Sequence, residues 1–79
     1  MTLVYNSDTF AVLAVDLSAH GGYEIVDKSS RQGIFIEGLV AQSFRAQAEA
    51  LVQSEASAED IDELLGRYTA MAPAHAGLH

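Results

Sequence analysis

Phe10-Ala11-Val12-Leu13-Ala14-Val15-Asp16-Leu17 (FAVLAVDL) is the stretch that decides the fold. As a strand, it points Ala11, Leu13, Val15 and Leu17 to one side and Phe10, Val12, Ala14 and Asp16 to the other. Both sides are apolar over nearly the whole run. A strand of that kind is central, or lies in a sheet covered on both faces. It is bounded by turn formers, Asn6-Ser7-Asp8 before it and Ser18-Ala19-His20-Gly21-Gly22 after it.

Outward from this strand, the first half of the chain continues in β-prone runs. Leu3-Val4-Tyr5 precedes it. Tyr23 to Lys28 follows as a third strand, with Tyr23, Ile25 and Asp27 on one face and Glu24, Val26 and Lys28 on the other. Ser29-Ser30-Arg31-Gln32-Gly33 reads as the next turn, and Ile34-Phe35-Ile36 as a short fourth strand.

The second half changes period. Val40, Phe44, Ala48 and Leu51 recur every three or four residues, which predicts an amphipathic helix from about Gly38 to Ser54. Ser57 reads as the N-cap of a second helix, with Asp60 three residues on in a variant capping box. Ile61, Leu64, Leu65 and Tyr68 form its apolar stripe, and Pro73 stops it beyond about Met71. The short connection predicts an antiparallel helix hairpin. The expected fold class is α+β: a three- to four-stranded antiparallel β-meander, then two helices packed on one sheet face. Residues 1–72 are expected to form the single domain, and 73–79 a flexible C-terminal tail.

Composition agrees with one small folded unit. The 79 residues are 49 % hydrophobic and 19 % charged, unlike a disordered chain. Surface scaling for this size predicts that roughly three-fifths of the extended chain's surface is buried on folding. No apolar run approaches the ~18 residues of a membrane span. The absence of cysteine excludes disulfides, thiolate metal sites and a cysteine nucleophile. Eleven acidic residues against four basic ones give −7. That balance argues against binding nucleic acid or an anionic membrane. The start, Met1-Thr2-Leu3-Val4-Tyr5, has neither the basic nor the apolar region of a secretory signal, so a cytoplasmic location is expected.

Gly22-Tyr23-Glu24-Ile25-Val26-Asp27-Lys28 (GYEIVDK) resembles the signature of a family of small, functionally uncharacterised β-proteobacterial proteins. Tyr5-Asn6-Ser7, Arg31 with Ile34-Phe35, Ile61 to Gly66 and the closing Leu78-His79 are similar in order. The resemblance spans nearly the whole chain. It implies a shared fold, and no activity, cofactor or site.

No motif carries chemistry by itself. His75 and His79 are four apart, but Pro73 and Gly77 disfavour a helix that would align them, and His20 stands alone. Glu55, Glu59, Asp60, Asp62 and Glu63 lack a calcium-loop pattern and suit a helix start, where acidic side chains complement the dipole. Glu24 and Asp27 fall on opposite strand faces, and Asp16 is expected to pair with Lys28 or Arg31. Ser7, Ser18, Ser29 and Ser30 are ordinary turn serines with no nucleophile elbow. No catalytic residue, metal ligand or cofactor is therefore expected.

What remains is surface. Tyr5, Tyr23 and Phe35 suggest an aromatic patch on the sheet, and aromatic side chains are enriched at contact hot spots. Two helices cover one sheet face, so the apolar residues of the other face call for a partner. The expected function is a non-catalytic protein–protein interaction or regulatory module, homodimeric, with an unidentified protein partner. Its candidate surface is Phe10, Val12, Tyr23, Ile25, Asp27, Lys28, Arg31 and Phe35. The alternative is a small-molecule binder or minor enzyme with a pocket between sheet and helices.

Overall fold

The computed structural model describes residues 1–15 and 21–71. Four strands form one antiparallel sheet in sequence order: β1 (Thr2–Asn6), β2 (Phe10–Val15), β3 (Gly22–Asp27) and β4 (Gln32–Glu37). Two helices follow, α1 (Gly38–Gln53) and α2 (Ala58–Ala70). The α+β class and the β-meander expected from the sequence are observed.

Register settles which side is the core. Val12 pairs with Ile25, Ala14 with Tyr23, Ile25 with Ile34 and Tyr23 with Ile36. These residues share the face that meets the helices. Phe10, Val12, Ile25 and Ile36 form one buried cluster with Ala41, Phe44, Leu64, Leu65 and Tyr68. Phe44 sits at its centre, its ring 5.3 Å from that of Tyr23 and 5.2 Å from that of Tyr68. Aromatic pairs at that spacing favour the tilted and edge-on arrangements seen here.

Three local features differ from the sequence reading. Gln32 and Gly33 lie in β4, paired with Asp27 and Val26, so the β3–β4 turn is only Lys28 to Arg31. Arg31 takes a left-handed φ of 59° to close it. The strand β4 runs into α1 without a loop, which Gly38 permits by adopting φ 64°. The inward stripe of α1 is Ala41, Phe44, Ala48 and Leu51, while Val40 is half exposed.

The helix ends follow their residues. The Ser57 side chain accepts from the Asp60 amide, as an N-cap should. Glu59 and Asp60 occupy the first turn of α2 and Arg67 the last, matching the helix dipole at both ends. The C-terminus of α1 closes with Ala56 N donating to Leu51 O and Glu55 N to Val52 O. This is a Schellman arrangement, with Glu55 rather than glycine in the left-handed position at φ 58°.

Candidate interaction surfaces

The sheet's outer face, away from the helices, has its own residues. Leu3 pairs with Leu13, Leu13 with Glu24 and Glu24 with Phe35, giving one cross-strand row over all four strands. Ala11 and Val26 form a parallel row with Gly33. Leu3 is 54 % exposed and Phe35 46 %. Ala11, Leu13 and Val26 are partly buried. The result is an apolar face with the carboxylate of Glu24 in its middle and that of Glu37 at the end of β4. The Phe35 ring lies across Gly22, filling the space a side chain would otherwise take.

The eight residues expected to make one surface separate into three places. Phe10, Val12 and Ile25 lie in the core, because the helices cover their side of β2 and β3. Tyr23 is half buried on that same side, against Phe44. Phe35 is on the outer face, so Tyr5, Tyr23 and Phe35 form no common patch: Tyr23 pairs with Ile36, which turns Phe35 the other way. Asp27 ends β3, and Lys28 and Arg31 belong to the β3–β4 turn that follows it. The Asp27 carboxylate accepts from the Ser29 hydroxyl at 2.7 Å and the Ser29 amide at 3.0 Å, and these bonds hold it below its ordinary pKa. Lys28 Nζ donates to Asn6 Oδ1 and, at 2.6 Å, to Ser7 O, tying this turn to the β1–β2 turn. Asp16, His20, His75 and His79, and the proposed tail, lie outside the described residues.

The sequence reading missed a polar clamp. Asp62, on α2, accepts from the Tyr5 hydroxyl at 2.9 Å and from Ser7 Oγ at 2.9 Å. Ser7 Oγ in turn accepts from the Phe10 amide at 3.0 Å. One carboxylate thus pins the β1–β2 turn to the helices. Partial burial raises the Tyr5 phenol above its ordinary 10.0, and the Asp62 carboxylate reinforces the shift.

Beside the clamp a groove of about 400 Å³ runs between sheet and helices. Val4, Val12, Phe44, Ala48, Ile61 and Leu64 line it, and its rim carries Arg45 and Glu49, which pair at 3.5 Å. No group of three or more metal-ligating side chains occurs among the described residues. None of the helices there is long and apolar enough to cross a membrane.

Comparison with known proteins gives two matches. The sequence model of the family described as "Protein of unknown function (DUF3567)" matches residues 1–79. "Protein BTH_I0359" of Burkholderia thailandensis is 36 % identical over 85 aligned residues, covering all of both chains. No solved structure matches.

Proposed function

Because the chain belongs to the DUF3567 family, whose description assigns no function, we propose a role from its surface: a small, non-catalytic protein–protein interaction or regulatory module, acting as a homodimer. The observation that carries the interaction reading is the outer sheet face. Both helices lie on the Phe10–Val12–Ile25 side, so among the described residues no helix covers Leu3, Leu13, Val26 or Phe35, of which Leu3 and Phe35 are exposed. An apolar row rimmed by polar residues is the usual mark of a docking surface. The −7 balance favours a basic or neutral protein partner over nucleic acid. The lack of cysteine suits the cytoplasm.

The test is affinity capture of the tagged chain from its native lysate, read by mass spectrometry, beside a Phe35→Asp control. Phe35 is half exposed, so this control keeps the core, whereas Val12→Asp would bury a charge. One stoichiometric protein, lost with Phe35→Asp, is expected. Capture that ignores the substitution would refute this face as the docking surface.

The groove favours a second reading, a small-molecule binder, since about 400 Å³ falls within the range of ligand sites. Its rim charges already pair with each other, and Tyr5 is held by Asp62. A thermal-shift screen with metabolites decides the point, because a ligand of the native state raises the melting temperature.

A further inference from the structure

We infer that a second copy of this chain docks along the edge of β1 that no described strand pairs, strand beside strand about a two-fold axis, and roofs the mouth of the groove. The inference rests on the interaction-module reading and supplies the geometry of its dimer.

The two edges of the sheet are unequal. β4 follows directly on Arg31, ends in Glu37 and turns at once into α1. β1 (TLVYN) carries no charged residue and no proline in a chain that is 19 % charged. Folded proteins guard free edges with charges, proline or a covering element, because unpaired amides and carbonyls recruit another strand. Lys28 reaches only the far end of β1, at Asn6 and Ser7. At its centre Leu3 and Val4 are each 54 % exposed.

The groove opens at this same edge. The pairing register shifts between Leu3 and Tyr5, so that Val4 is the extra residue of a bulge. Bulges re-aim side chains, and here Val4 and Tyr5 both line the groove. Across the mouth stands Val52, 64 % exposed on α1. A strand laid antiparallel against β1 places its own Val4 over this gap.

Charge selects the partner surface. Stacking two outer faces about a two-fold axis would bring Glu24 of each copy to the centre of the contact, two like charges without counter-ions. Edge pairing brings no charged residue of β1 against another, and Glu24 stays in water. The outer faces of the two copies then join into one broader surface, with Leu3 of each copy at the seam, still open to a different protein. A contact built on five residues per copy belongs at the low end of interface sizes. The dimer therefore exchanges with monomer, and its mass depends on concentration.

The chain has no cysteine, so one introduced cysteine reports on one place. Leu3→Cys, Val4→Cys and Phe35→Cys are oxidised at concentrations where sedimentation shows dimer. A disulfide forming at least tenfold faster at position 3 or 4 than at 35 is expected. Leu3→Lys, a surface change that circular dichroism would show to be folded, should weaken dimerisation at least tenfold. A dimer that cross-links through position 35 and not 3 or 4 overturns the edge geometry and leaves the interaction module intact. A chain monomeric at every concentration overturns the inference and the homodimer of the proposed function with it, and the partner capture then decides whether the chain is an interaction module.

Discussion

A methyl group added at Gly22 tests the packing of the sheet's outer face. An ideal Cβ there would lie 2.6 Å from the Ile36 carbonyl oxygen and 2.7 Å from Phe35 Cζ. Both separations are far inside ordinary contact. The Phe35 ring is 46 % exposed and can swing away, but the Ile36 carbonyl belongs to the adjacent strand and cannot. Overpacking of this kind costs about 1–3 kcal/mol, and the backbone contact places Gly22→Ala near the middle, about 2 kcal/mol. For a domain of this size that lowers the melting temperature by about 8–16 °C. Phe35→Ala alone removes a half-buried ring, about 1 kcal/mol. The double variant should be less destabilised than the sum of the two, because the ring clash has gone, yet no more stable than Phe35→Ala alone. Urea melts of the four proteins give the cycle. A Gly22→Ala chain melting within about 2 °C of the parent would refute the placement of Phe35 over Gly22 and the register that puts it there.

Ser57→Ala removes the α2 cap and should cost about 1 kcal/mol in urea denaturation. Glu55→Gly relieves a left-handed non-glycine residue at the end of α1 and should stabilise by about 1 kcal/mol, read as a higher melting temperature. Asp62→Ala unpins the β1–β2 turn, and faster amide exchange at Ser7 and Phe10 should show it. The Tyr5 phenol has a raised folded pKa, so its contribution to stability is complete below pH 10.0 and is lost as pH rises through the raised value. Ultraviolet titration should find Tyr5 ionising above its ordinary value in the parent chain, with a smaller shift in Asp62→Asn.

The sequence carried the elements and left their facing open. Residues 10–15 announced an inner strand by being apolar on both sides, and that same property hid which side the helices cover. Within one strand, alternation tells faces apart; between strands, only register does. Tyr23 and Phe35 looked like one patch until the four-residue turn set Tyr23 against Ile36. The α1 stripe was legible in period and wrong by one residue at its start, because Gly38 begins the helix directly from β4 and leaves Ala41 inward with Val40 half exposed. The Ser57 cap was local and therefore visible. The Asp62 clamp joins residues 55 and 57 positions apart, for which no local pattern exists.

The account depends most on which sheet face stays open. Solvent paramagnetic relaxation of methyl-labelled protein measures this directly. The account predicts strong broadening of the Leu3, Leu13 and Val26 methyls, with those of Val12, Ile25, Leu64 and Leu65 protected. Protected Leu13 and Val26 methyls in the isolated chain, or broadened Val12 and Ile25 methyls, would contradict it.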